Sequence, residues 1–154
     1  MLSRTLVILL IAVGTVLPAA AQDAGPRVDQ AWARATIGRS QVSAAYASLT
    51  SQSADRLIGV ETPIAQHAEL HTHTMKSDGT MEMRGVDAIA LKAGETVVLK
   101  PNGPYHVMLI GLKQPLKPGE SFPMTFIFQN GGRKTATVKV ESARAMGPSV
   151  GAGS

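Results

Sequence analysis

Seven methionines and four histidines in a chain without cysteine are the side chains here best suited to holding a metal ion. All four histidines and four of the methionines fall between residues 67 and 108. His67, His71, His73, Met75, Met81 and Met83 form one group, and His106 and Met108 form a second. Side chains alternate along a strand with a period of two. His71, His73 and Met75 therefore share a face, as do Met81 and Met83, and as do His106 and Met108. Register decides whether the first group converges. Treated as a three-residue loop, Ser77-Asp78-Gly79 sets Met75 opposite Met81, His73 opposite Met83 and His71 opposite Gly85. Such loops commonly end on a left-handed glycine, and Gly79 stands where that is needed. A two-residue turn would send Met83 to the other face.

Thioether sulfur is soft and neutral, and imidazole is borderline. Together they suit Cu(I) far better than Mg²⁺, Ca²⁺ or Mn²⁺, which want oxygen. Zinc rarely takes a thioether. The absence of cysteine excludes a blue-copper site, an iron–sulfur cluster and a thiol nucleophile. A methionine at strand spacing is ordinarily core filler, and a lone histidine such as His67 is ordinarily structural. The joint occurrence of His71, Met83, His106 and Met108 favours a metal site over incidental packing. The chain has no thiol nucleophile and no phosphate-cradling glycine loop, so the expectation is binding and transfer and not an enzyme. The competing reading is an exported structural or adhesive sandwich without physiological metal. Formal net charge is +4 and aromatics make up 4%. The basic residues form no stripe, which argues against nucleic acid.

The elements that must position these side chains are short apolar or alternating runs, cut by Gly, Pro, Asn and Asp. They fall near 28–35, 44–50, 57–62, 68–75, 81–86, 96–99, 105–112, 122–128 and 134–140. That pattern predicts one antiparallel all-β sandwich, with Trp32, Leu57, Leu109, Phe126 and Val138 in its core. Leu91-Lys92-Ala93-Gly94-Glu95 and Leu116-Lys117-Pro118-Gly119-Glu120 read as two similar turns. Residues 1–21 read as a secretory signal peptide. A basic start precedes an apolar run and the small-residue end Ala19-Ala20-Ala21, with cleavage expected near Ala21. The apolar run is short for a membrane span, so no stable membrane insertion is expected. The expected organisation is a leader over 1–21, a folded domain over 22–141 and a flexible tail over 142–154.

At the His and Met positions the sequence resembles the PCuAC family of periplasmic copper chaperones. The phrases that carry the likeness are Ala68-Glu69-Leu70-His71, Met81-Glu82-Met83-Arg84, Leu99-Lys100-Pro101, Tyr105-His106-Val107-Met108-Leu109 and Gly111-Leu112-Lys113-Gln114-Pro115-Leu116. The resemblance implies a cupredoxin-like Greek-key β-sandwich in the periplasm. It implies Cu(I) on His71, Met83, His106 and Met108, with Cu(II) held more weakly. It also implies delivery toward the CuA site of cytochrome c oxidase, through the CuA-bearing subunit or another copper carrier. The intervals His71–Met83 and Met83–His106 are each one residue longer than usual. His73 stands where the family often has Met, and is an additional ligand candidate. The tail carries Met146 alone.

Overall fold

The computed structural model describes residues 25–149, so the expected leader lies outside the described residues. The strands are β1 (Arg27–Arg34), β2 (Val42–Thr50), β3 (Asp55–Glu61), β4 (Ala65–Met75) and β5 (Met81–Gly85). They continue as β6 (Ile89–Leu91), β7 (Thr96–Val98), β8 (Tyr105–Leu112), β9 (Ser121–Phe128) and β10 (Gly132–Glu141). Their hydrogen-bonded order is β5-β4-β8-β2-β1-β10-β9-β3-β6, with β7 pairing β2. Every pairing is antiparallel except β1 with β10, which is parallel. Among the described residues no helix is long and apolar enough to cross a membrane.

The path folds over on itself because alternate residues of each strand are apolar. In β9, Phe122, Met124, Phe126 and Phe128 point inward and are buried. They meet Leu57 and Val60 from β3, Leu70 from β4, Val107 and Leu109 from β8, and Val138 and Val140 from β10 in one cluster. Each such side chain contributes about 1.5–3 kcal/mol on burial. Trp32 is buried but lies outside that cluster. Its neighbour Ala33 takes the inward position, so strand alternation turns Trp32 to the opposite face. There it packs on Tyr46, ring centroids 4.5 Å apart.

Turn chemistry fixes the connections. The two similar phrases fold alike. Gly94 and Gly119 have φ of 75° and 90°, and the amides of Glu95 and Glu120 donate to the carbonyls of Lys92 and Lys117. Asp55 is 6% exposed, and its carboxylate accepts from the amides of Arg56, Asn130 and Gly131 at 2.7, 3.0 and 2.8 Å. It thereby ties the β9–β10 turn to the start of β3. Beyond β10, Arg34 Nε donates to the carbonyl of Ala145 at 3.0 Å, and Ser149 bonds Glu141.

Candidate metal centre

The β4–β5 hairpin has the register that a three-residue loop requires. His71 pairs Gly85, His73 pairs Met83 and Met75 pairs Met81. The Gly79 amide donates to Lys76 O at 2.9 Å, and Gly79 has φ 81°. Asp78 Oδ1 accepts from the amide and the hydroxyl of Thr80 at 2.9 and 2.6 Å, which holds the turn closed. On its other side β4 pairs β8, setting His71 opposite His106 and Glu69 opposite Met108. β8 in turn pairs β2, with Met108 opposite Ala44. One face of three adjacent strands therefore carries His71, His73, Met83, His106 and Met108.

A cleft of about 280 Å³ opens on this face. It is lined by His73, Met83, His106 and Met108, with Arg34, Ala44, Tyr46, Lys100, Pro101 and Asn102 around them. The loop before β8 covers it. The Gly103 amide donates to Lys100 O at 3.0 Å, and Asn102 takes φ 58°, a left-handed conformation that Asn tolerates better than most residues. Gly103 has no room for a side chain: a Cβ there would lie 2.8 Å from the Lys100 side chain. The close approach lets Gly103 O accept from His73 Nδ1 at 3.1 Å.

The hydrogen bonds select tautomers. A carbonyl only accepts, so His73 Nδ1 carries the proton and Nε2 keeps a lone pair. His71 Nε2 lies 2.9 Å from Glu69 Oε2, and an ionised carboxylate likewise only accepts. The proton is on His71 Nε2 and the lone pair on Nδ1. That Nδ1 is buried without a partner, and so is Nδ1 of His106. Buried polar atoms normally find a partner, so two such ring nitrogens fit a site meant for an ion. The His106 ring stacks on His73 with centroids 4.7 Å apart and lies 5.7 Å from His71. Burial first, then the neighbouring His73 and His71, lower its pKa to about 4. His106 is therefore neutral at neutral pH, the state in which imidazole donates to a metal.

Three of the residues named by the resemblance, Met83, His106 and Met108, line the cleft, and His73 lines it with them. His71 does not line the cleft; it stands in register opposite His106, one row from the His73–Met83 pair. His67 pairs Ile110, is exposed and does not line the cleft. Met83 is 49% exposed and His106 4%, so the cleft joins a buried nitrogen to an open sulfur. Among the described residues no three His, Asp or Glu side chains are grouped to hold a metal. A ligand set here draws on thioethers. Glu69 orients His71, and the Glu-x-His spacing, which puts both on one face, is the signal in the sequence that could have found it. Arg34, Tyr46 and the Lys100–Asn102 cover carried no such signal.

The sequence profile of the LpqE-like lipoprotein family matches residues 27–140. Lxx21020 of Leifsonia xyli subsp. xyli is 30% identical over 132 residues, covering 81% of this chain and 78% of that protein. Among solved structures, apo-DR1885 from Deinococcus radiodurans is 32% identical, covers 92% of this chain and 97% of its own, and superposes with a TM-score of 0.60. The Cu(I) form of DR1885 is 31% identical, covers 84% of this chain and 83% of its own, and has a TM-score of 0.59. The apo PCuAC domain of PmoF1 is 19% identical, covers 77% of this chain and 94% of its own, and at a TM-score of 0.65 shares the fold. The chain belongs to the LpqE-like family, and its fold is that of the PCuAC domains.

Proposed function

We propose that this protein is an exported copper chaperone that binds one Cu(I) tightly and delivers it toward the CuA site of cytochrome c oxidase. The observation that carries this reading is the convergence of Met83, Met108 and His106 on one cleft, with buried ring nitrogens on His71 and His106 that no protein group satisfies. DR1885, about a third identical to this chain, has been solved with Cu(I), which supports copper as the cargo. The proposed ligands are His71, Met83, His106 and Met108. His73 is an alternate nitrogen, since its Nε2 lone pair is free while Gly103 O holds Nδ1. Two neutral thioethers favour the reduced, softer ion, so Cu(II) binds more weakly.

Partial exposure of Met83 suits a carrier. An acceptor can displace the outer sulfur first while His106 still holds the ion. The family name supports export, and residues 1–21 would then be the cleaved signal. X-ray absorption at the copper edge of the Cu(I)-loaded protein tests the ligand set. A mixed sulfur and nitrogen shell is expected, and a shell of nitrogen and oxygen alone would contradict it. Delivery is tested by mixing the loaded protein with a copper-free CuA domain, separating the two and assaying each for copper. Retention of all copper by the donor would refute the delivery role.

A further inference from the structure

Met75 and Met81 lie outside the cleft, and core packing does not explain them. They are 70% and 59% exposed, whereas Met124, a true core filler, is 1% exposed. They face each other across the β4–β5 hairpin. The next pair toward the loop, Lys76 and Thr80, is hydrogen-bonded, with Lys76 N donating to Thr80 O at 2.8 Å. Antiparallel pairs alternate, so Met75 and Met81 form a non-hydrogen-bonded pair, with Cα atoms about 4.5 Å apart and side chains at their closest. At this end of the hairpin the charged side chains occupy the other face, where Lys76 meets Glu82 at 3.5 Å. β8 pairs β4 only as far as Thr72, and His73 N bonds Pro104 O. The hairpin end bearing Met75 and Met81 therefore overhangs its neighbour and stands free for an encounter.

We propose that Met75 and Met81 form an outer, two-thioether Cu(I) port that passes the ion to and from the cleft through Met83. The inference rests on the Cu(I) reading above and extends it to the route. Met81 and Met83 share a face of β5 two residues apart, about 7 Å along the strand. Flexible methionine side chains span that gap. Transfer is ligand exchange: a Met81–copper bond breaks as a Met83–copper bond forms. The ion remains Cu(I), the ligands are neutral, and no proton or electron moves. Two sulfurs without a nitrogen hold the ion more loosely than the cleft does, as a port requires.

The test is a titration of the chain, labelled with [methyl-¹³C]methionine, with Cu(I) supplied anaerobically as its acetonitrile complex. The Met83 and Met108 methyl signals shift first, and those of Met75 and Met81 shift together as more Cu(I) is added. Met146, 59% exposed with no methionine paired to it and its sulfur accepting from Arg34 Nη2 at 3.3 Å, is the internal comparison and lags behind both. In the Met75→Ile/Met81→Ile variant, loading of the cleft slows about tenfold, because the ion is no longer held at high local concentration beside it. Isoleucine suits exposed strand positions, and an unchanged circular-dichroism spectrum verifies the fold. Unmoved Met75 and Met81 signals when Met83 and Met108 are saturated would overturn the port alone. A Met146 shift in step with Met75 would overturn it too, by showing general thioether affinity. Unmoved Met83 and Met108 signals would instead overturn the Cu(I) reading itself.

Discussion

Gly79→Val perturbs the one turn on which the methionine register depends. Gly79 has φ 81°, and a Cβ built there meets nothing within 4 Å. The penalty is therefore conformational, with no steric contribution from neighbours. A β-branched residue held in the left-handed region costs about 2 kcal/mol, whereas Asn enters that region for much less. β5 is an edge strand bonded only to β4, so the strain is relieved locally by fraying the hairpin. Two kcal/mol corresponds to about a thirtyfold rise in the opening equilibrium. Amide hydrogen exchange reads this at two points. The Lys76 amide, bonded to Thr80 O beside the loop, should exchange about thirtyfold faster in the variant. The Val86 amide, bonded to Leu70 O at the far end, should change less. Cu(I) affinity is then scaled by the fraction of molecules whose hairpin is closed. An unmoved Lys76 amide would refute the reasoning, as would Gly79→Asn accelerating exchange as much as Gly79→Val.

Gly103→Ala should push the Lys100 stem away, shift the Pro101–Asn102 cover and weaken the Gly103 O bond to His73, at a cost of about 1 kcal/mol; an unchanged melting temperature together with unchanged His73 ring resonances would count against it. Asp55→Ala should destabilise the fold by about 3 kcal/mol in denaturant titration, because the buried amides it serves lose their acceptor. Burial alone would raise the Asp55 carboxyl, but the Asn130, Arg56 and Gly131 amides outweigh it and hold its pKa below the ordinary value. Its contribution is then fully present above the unfolded carboxyl value near pH ~4, and is lost as pH falls through the lower folded value. A stability difference between wild type and Asp55→Asn that stays flat from neutral to strongly acid pH would contradict this.

Much of this architecture was legible because short strands and turns write themselves locally. Ser77-Asp78-Gly79 announced its own loop length, and the hairpin register followed. Ile89–Leu91 escaped notice because Ile-Ala-Leu is apolar throughout and runs straight into the Leu91–Glu95 turn phrase; β6 exists through its pairing with β3. The parallel pairing of β1 with β10 joins the two ends of the domain, and no local pattern encodes it. Trp32 is buried, as the strand pattern predicts, but on the face opposite Ala33, where it packs on Tyr46 outside the main cluster. Strand period put His71 and His73 on one face but could not say which ring enters the cleft. That depends on Glu69 and the Gly103 carbonyl, the first a neighbour by spacing and the second thirty residues away.

Anaerobic Cu(I) competition titration of the wild type against a Met83→Ala/Met108→Ala variant tests the central claim most directly. Changing a group that merely orients a metal ligand costs about 10–100-fold in affinity, so removing two ligands should cost more than about a hundredfold. The account predicts one tightly bound Cu(I) in the wild type, and that loss in the variant with its β-sheet spectrum retained. Equal affinity in the two proteins, or uptake well below one ion per chain in the wild type, would contradict it.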